Sequence, residues 1–92
     1  MIFEWDDKKN KSNLIKHGID FETAALVFND RNRIEYYDAD HSMFEDRYIT
    51  IGMINDVVIV IVVVYTERTE SLRIISARKA TRQERNVYYG NT

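Results

Sequence analysis

A run of eight consecutive β-branched apolar residues, 57–64, dominates the hydrophobic pattern of the chain. Valine and isoleucine lose side-chain freedom in a helix but pack well on a pleated sheet. Because no polar residue alternates with them, both faces of the strand must be shielded from water, as in a central strand. The run falls well short of the roughly 20 apolar residues that a membrane-spanning helix needs. The pattern therefore predicts the middle strand of a sheet that is covered on both sides.

The beginning of the chain has the pattern of a short strand followed by a helix. Residues 2–5 are mostly apolar and predict the strand. Either Asp6 or Asp7 can cap the helix, because a carboxylate accepts hydrogen bonds from the free N–H groups of a first turn. The helix is predicted over residues 8–17, and Gly18 is placed to end it in a left-handed conformation. Its apolar stripe is thin and consists of Leu14 and Ile15.

A second, shorter helix is predicted over residues 21–28, with Asp20 as its cap. Four of its side chains have the spacing i, i+3, i+4 and i+7, which places them on one helical face. We expect this face to pack on the sheet; it consists of Phe21, Ala24, Ala25 and Phe28.

Three further strands are predicted over residues 33–37, 47–54 and 72–77. Asn55 and Asp56 form a two-residue turn that joins the second of these strands to the central one. The polar residues between the first two strands predict a loop. Consecutive strands joined by short turns favour an antiparallel sheet.

A last helix begins near Thr81, because Glu84 follows three residues later in the spacing of a capping box. It is predicted to end near Gly90, and Arg78 and Lys79 lie between the last strand and its start. The whole pattern predicts a single α+β domain over residues 1–92. Two N-terminal helices and one C-terminal helix are expected to pack against the antiparallel sheet.

Composition adds constraints on function. The 92 residues include no cysteine, which excludes disulfides, thiolate chemistry and cysteine-based zinc sites. The first residues lack the basic and apolar regions of a signal peptide, so a cytoplasmic protein without membrane contact is expected. The net charge is −2, yet residues 67–92 carry five arginines and one lysine against three glutamates. This basic segment is interpreted either as an anion-binding region or as solvated strand and helix surfaces.

Among the cationic side chains, the arginines are the best candidates for binding an anion. A guanidinium binds phosphate in a bidentate manner and stays charged at any useful pH. Backbone N–H groups at the start of the last helix would add to such an anion site. The candidates are Arg47, Arg68, Arg73, Arg78, Lys79, Arg82 and Arg85.

His17 has two interpretations at the predicted end of the first helix. Its imidazole can hydrogen-bond the carbonyl groups of the last turn, or it can act as a general acid or base beside the Lys16 ammonium. The other histidine, His41, lies among the carboxylates of residues 38–46. Their spacing matches no zinc site or calcium loop, so this segment is interpreted as a solvated loop. No metal or cofactor is predicted.

Several stretches together resemble a known family. They are FEWD (residues 3–6) with NLIKHGIDF (13–21), EDRYITIG (45–52), YTER (65–68) and RIISARKATRQER (73–85). In this order they resemble the BrnT toxins, and the similarity covers nearly the whole chain. The resemblance implies a RelE/ParE-like fold and the toxin half of a type II toxin–antitoxin pair. It also implies a ribonuclease that arrests translation, a DNA-binding antitoxin, BrnA, that neutralises it, and a complex that represses its own operon.

The resemblance also implies functional residues and partners. The candidates for the active surface are Lys16, His17, Arg47, Arg68 and Arg78, and those for further RNA contacts are Lys79, Arg82 and Arg85. The implied partners are RNA, free or on the ribosome, a BrnA-like antitoxin, and operator DNA bound through that antitoxin. RNA cleavage without a metal uses the ribose 2′-OH as nucleophile and needs an acid, a base and cations around the phosphate. Glu45 or Glu67 is a candidate partner base for His17.

The alternative is a protein that binds without catalysis. The RelE/ParE-like fold also serves toxins that are not nucleases, and fold does not determine activity. Such a chain would be a non-catalytic toxin, or a degenerate toxin that remains a co-repressor with its antitoxin.

Overall fold

The computed structural model describes residues 1–90, and it confirms an α+β fold and the predicted order of elements. The last two residues of the predicted domain, 91–92, lie outside the described residues. Two short 3₁₀ helices, Ala25–Asn29 and Ala39–His41, interrupt the connections. The regular elements are β1 (Phe3–Glu4), α1 (Asp7–His17), α2 (Phe21–Ala24), β2 (Ile34–Tyr37), β3 (Arg47–Ile54), β4 (Ile59–Glu67), β5 (Leu72–Lys79) and α3 (Arg82–Gly90).

The strands form one sheet in the order β1-β5-β4-β3-β2, so residues 59–64 of the apolar run lie in the central strand as predicted. The pairs β2–β3, β3–β4 and β4–β5 are antiparallel. The prediction of a fully antiparallel sheet is wrong for β1, which pairs parallel to β5 through Phe3 and Glu4. β1 precedes α1 in the chain and is not joined to β5 by a hairpin. No tight turn therefore forces β1 to run antiparallel to β5.

Helices cover the two faces of the sheet unequally. Face A carries Ile61 and Val63 of β4, which pack with Ile74 of β5 and with Phe21 and other residues of the α2 region. Face B carries Ile51, Val60 and Val62, which pack with Ala80 and with Tyr88 of α3. Because α3 is short, it covers only one end of face B. The rest of face B is not covered by a helix of the described residues.

The predicted apolar stripe of α1 is wrong, because Leu14 is 47% exposed and Ile15 is 87% exposed. The buried residue is Asn13. Its amide nitrogen donates to the carbonyl oxygens of Ile19 and Ala77, each at 2.8 Å, and its amide oxygen accepts the Ala77 N–H at 3.2 Å. The amide thus pairs with the edge of β5 as a neighbouring strand would, and satisfies groups that would otherwise be costly to bury. The caps predicted at Asp6 and Gly18 are present.

The second helix is shorter than predicted. Asp20 caps it as expected, but regular α-helix ends at Ala24 and a 3₁₀ helix continues. The tighter helix buries every third residue, so Val27 replaces the predicted face residue Phe28 in the fully buried core. Gly52 of β3 lies directly beneath, where an added Cβ would be 2.7 Å from a methyl carbon of Val27. The close packing of this helix on face A therefore requires glycine.

The predicted two-residue turn between β3 and β4 is also wrong. Ile54 pairs with Ile59, which leaves four residues in the connection. Val57 and Val58 belong to this turn and are 57% and 68% exposed. Val58 takes a φ of 53°, a left-handed conformation that β-branched residues rarely adopt. The predicted central strand therefore began too early, because the hydrophobic pattern does not distinguish a valine in a turn from a valine in a strand.

The capping box that was predicted at the start of α3 is confirmed. Glu84 accepts the Thr81 N–H at 2.8 Å, and the Thr81 hydroxyl accepts the Glu84 N–H at 3.2 Å. The other end of α3 is held by Tyr88, whose hydroxyl donates to the buried Asp30 carboxylate at 2.6 Å. These contacts fix α3 at one end of face B.

Candidate active site

A β-bulge in β5 decides which side chains reach the uncovered part of face B. The strand continues to Lys79, two residues beyond the predicted end. Tyr65 of β4 pairs with Ile74, but the preceding residue of β4, Val64, pairs with Ser76. Ile75 is thus an extra residue, and the alternation of side chains changes phase after it. As a result Arg78 pairs with Val62 and lies on face B.

The uncovered part of face B forms a cavity of about 420 Å³, which we call the central groove. Its floor consists of apolar side chains from β3, β4 and β5. Charged side chains from three different segments surround it. The lining residues are Asp38, Asp40, His41, Arg47, Ile49, Val64, Ile75, Ser76 and Arg78.

Arg78 is held at the border between the groove and α3. Its two terminal nitrogens donate to the two carboxylate oxygens of Glu84 at 2.7 and 2.9 Å. The hydrogen bonds from Arg78 lower the pKa of the Glu84 carboxyl to about 2, and the same hydrogen bonds raise the pKa of Arg78. The Arg78 side chain remains 42% exposed. Glu84 therefore orients Arg78 while leaving part of it open to a ligand.

Arg47 lies near the other end of the groove, at the first position of β3. Its backbone N–H donates to the Ser42 hydroxyl at 2.9 Å. Among the described residues its guanidinium has no ion-pair partner. The Arg47 guanidinium is therefore available to an anion in the groove.

The loop between β2 and β3 supplies the remaining wall. Its 3₁₀ turn places His41 Nδ1 at 3.0 and 3.1 Å from the two carboxylate oxygens of Asp38. The interpretation of this segment as a merely solvated loop missed that Asp38, Asp40 and His41 all line the groove. The available signal was a histidine three residues after an aspartate, only six residues before Arg47. Within residues 1–90, no cluster of three or more histidines and carboxylates is suited to a metal ion.

The predicted pair Lys16 and His17 borders a second cavity of about 430 Å³ beside the central groove. The two cavities share Ile75 and Ser76 as lining residues. His17 is at the end of α1, which the Asn13 contacts hold against the edge of β5. The structure therefore brings His17 and Lys16 next to the groove that contains Arg47 and Arg78.

The other predicted cations are not part of the groove lining. Arg68 lies beyond β4, 3.3 Å from a Glu45 oxygen and 3.8 Å from a Glu4 oxygen. Arg85 donates to the Ala80 carbonyl oxygen at 3.0 Å. Lys79 and Arg82 are exposed. Of the two predicted partner bases, Glu45 is paired with Arg68, and Glu67 lines a different cavity.

A comparison with protein families adds to this geometry. One family model, described as "Ribonuclease toxin, BrnT, of type II toxin-antitoxin system", matches residues 5–84. The chain belongs to the BrnT family. The predicted resemblance is therefore confirmed, and BrnT membership implies a toxin that has an antitoxin partner. No curated protein sequence matches the chain. Within the part of the chain that the structure describes, no helix is long and apolar enough to cross a membrane.

Proposed function

We propose that this BrnT family member is a metal-independent endoribonuclease that cleaves RNA in the central groove and thereby inhibits translation. The observation that supports the proposal best is the pair of arginines on face B. Arg47 and Arg78 belong to β3 and β5, and apolar side chains of β3, β4 and β5 form the floor of the same groove. Two guanidinium groups at opposite ends of one groove can hold a phosphodiester and stabilise the negative charge that develops during its cleavage.

The chemistry of the proposal requires proton transfer near that phosphate. His17 is adjacent to the groove and can serve as a general acid or base. The ribose 2′-OH is the nucleophile, so no metal-bound water is needed. Arg68 lies outside the groove lining, and Lys79, Arg82 and Arg85 would contact RNA that extends beyond the cleaved bond.

The proposal extends to the partners and the fold. A BrnA-like antitoxin would neutralise the toxin, an acidic segment of it would cover the groove, and operator DNA would be bound through it. The RNA would be cleaved in the cytoplasm, either free or on the ribosome. The five strands and three helices of residues 1–90, in their order, also fit the RelE/ParE-like fold that the resemblance implies.

A binding function without catalysis is the second candidate, and one observation favours it. Glu84 occupies both terminal nitrogens of Arg78, and the chain as a whole carries a net charge of −2. RNA affinity depends strongly on phosphate contacts with cations. A toxin of this kind would block a protein target, or would act only as a co-repressor with its antitoxin.

Induced expression in a bacterial host tests the proposal. Growth and RNA integrity are compared for wild type, His17→Ala and Arg78→Ala, with Lys11→Ala as a control for loss of an exposed charge outside the groove. Circular dichroism establishes that each purified variant is folded. We expect wild type and Lys11→Ala to arrest growth and fragment RNA, and the two groove variants to do neither. RNA cleavage by the purified protein should persist in excess chelator.

Growth arrest with intact RNA would contradict the ribonuclease proposal and favour a protein target. Normal growth with a folded wild-type protein would favour the co-repressor. Loss of cleavage in chelator would contradict the metal-independent mechanism alone.

A further inference from the structure

We propose that His41 is the general base of RNA cleavage in the central groove and that Asp38 positions it. This inference rests on the ribonuclease function proposed above and names a catalytic group that the family resemblance does not supply. His41 lines the same cavity as Arg47 and Arg78, the two arginines suited to hold the phosphate. It is also one of only two histidines in the chain, and the other, His17, borders the adjoining cavity.

Asp38 is a suitable positioning residue because its own place is fixed. Its backbone N–H donates to the Arg47 carbonyl oxygen at 2.9 Å, and its carbonyl oxygen accepts the Ser42 hydroxyl at 2.6 Å. The Asp38 side chain is only 11% exposed. The loop that carries the carboxylate is thus tied directly to the first residue of β3, where Arg47 begins the groove.

The contact with Asp38 determines which nitrogen of His41 is free to react. Nδ1 lies 3.0 and 3.1 Å from the carboxylate oxygens, so a neutral imidazole carries its proton on Nδ1 and donates it to Asp38. Nε2 is on the opposite side of the ring and keeps its lone pair. The His41 side chain is 68% exposed, so a substrate in the groove can reach that lone pair. This is the arrangement that a carboxylate gives to a histidine base in other hydrolytic sites.

The proposed step conserves atoms and charge. His41 Nε2 removes the proton from the ribose 2′-OH, and the 2′ oxygen forms a bond to phosphorus. The bond between phosphorus and the 5′ oxygen breaks, and that oxygen takes a proton from the protonated imidazole of His17. The products are a 2′,3′-cyclic phosphate and a free 5′-OH. Arg47 and Arg78 would neutralise the non-bridging oxygens during the step.

A purely structural role for His41 predicts a different outcome from a catalytic one. The His41 side chain is 68% exposed, and the loop is held mainly by Ser42 and by backbone hydrogen bonds. His41→Gln should therefore leave the fold intact. Ser42→Ala is the matched control, since it loosens the same loop but keeps both His41 and Asp38.

The test uses purified full-length protein and a short RNA in two forms, one with the ordinary 5′ oxygen and one with sulfur in its place. Sulfur is a good leaving group that needs no proton, so it restores the rate when a general acid is missing but not when the base is missing. We expect His41→Gln to lower cleavage of the oxygen substrate about 10²- to 10⁴-fold, the usual contribution of a positioned base. The sulfur substrate should not rescue it, whereas it should rescue His17→Ala.

Further measurements separate the outcomes. Affinity for the 2′-deoxy form of the substrate should be unchanged within about twofold in His41→Gln, since the base acts on the 2′-OH and not on binding. Asp38→Asn should lower the rate less than His41→Gln. Rescue of His41→Gln by sulfur or a wild-type rate in that variant would each overturn the inference, and a smaller loss in Ser42→Ala than in His41→Gln would support it. If wild-type protein cleaves neither substrate, the ribonuclease function itself fails, which is a distinguishable result.

Discussion

Ile74 and Arg78 lie on opposite faces of the sheet although they are four residues apart in one strand. Ile74 is buried on face A among the residues that pack under α2, whereas Arg78 pairs with Val62 and reaches face B. Strict alternation would put both side chains on the same face. The bulge at Ile75 changes the phase and delivers a guanidinium to the groove instead of to the core. A single extra residue in β5 therefore creates one wall of the candidate active site.

Arg47, which we propose as a phosphate ligand in the groove, should affect cleavage more than Arg68 does. Arg47→Gln removes an unpaired guanidinium from the groove and should lower RNA cleavage about 10²-fold, in the range seen when one charge-stabilising donor is lost. Arg68→Gln should cost less than tenfold, because Arg68 is paired with Glu4 and Glu45 outside the groove. Initial rates on one RNA substrate at constant salt would measure both. Equal losses would show that the groove is not the site of reaction.

The contact between Arg78 and Glu84 predicts a loss of stability in acid. The folded-state pKa of Glu84 is lowered to about 2 from 4.5, so its contribution is fully present above pH 4.5 and disappears as the pH falls toward 2. With allowance for solvent screening, we expect that contribution to be about 2 kcal/mol. Urea unfolding of wild type and Glu84→Gln at several pH values would measure it. The difference between the two proteins should shrink across this window, and a constant difference would contradict the prediction.

Asn13 should be the most sensitive position of α1 despite its polar side chain. Asn13→Ala leaves the Ala77 N–H and two carbonyl groups without their partner in a buried place, which should destabilise the fold by roughly 2–4 kcal/mol. Ser12→Ala, at the exposed neighbouring position, should change stability by less than about 0.5 kcal/mol. The free energies of unfolding in urea test both values. Similar small effects in the two variants would mean that the edge of β5 does not depend on Asn13.

Tyr88 and Tyr37 make the same kind of hydrogen bond in different surroundings. Burial, and then the hydrogen bond to Asp30, raise the pKa of Tyr88 to about 12. Tyr88→Phe leaves the Asp30 carboxylate with one donor fewer and should destabilise the protein by about 1–3 kcal/mol. The hydroxyl of Tyr37 donates to Asp46 at 3.0 Å at the surface, and Tyr37→Phe should have almost no effect. Thermal unfolding of both variants provides the comparison, and equal shifts in Tm would refute the anchoring role of Asp30.

Local sequence patterns were sufficient for the elements and for most of their ends. The apolar run identified the central strand, and the caps at Asp6, Asp20 and Thr81 were found where the pattern placed them. Each of these features depends on residues within a few positions of one another. A carboxylate needs only its own first turn to cap a helix, and a β-branched run needs only its neighbours to favour extended backbone.

The misjudged features depend on how segments of the chain pair and pack in three dimensions. Asn13 and Ala77 are 64 positions apart, and without their contact an asparagine in α1 looks like a solvent-facing residue. Val58 looks like part of a strand until the pairing of Ile54 with Ile59 leaves it in a turn. The sequence suggests only that His41 is solvated, and the folded sheet is needed to show that His41 and Arg78 line the same groove.

The sequence alone therefore determined the order of helices and strands, the α+β class and the BrnT resemblance, because these follow from short-range preferences and from linear similarity. The tertiary structure decided which face each charged side chain reaches and which histidines border the groove. The reason is physical. Strand pairing, and with it a one-residue bulge, sets the phase of alternation for a whole strand, and that phase is settled only when the partner strand is in place.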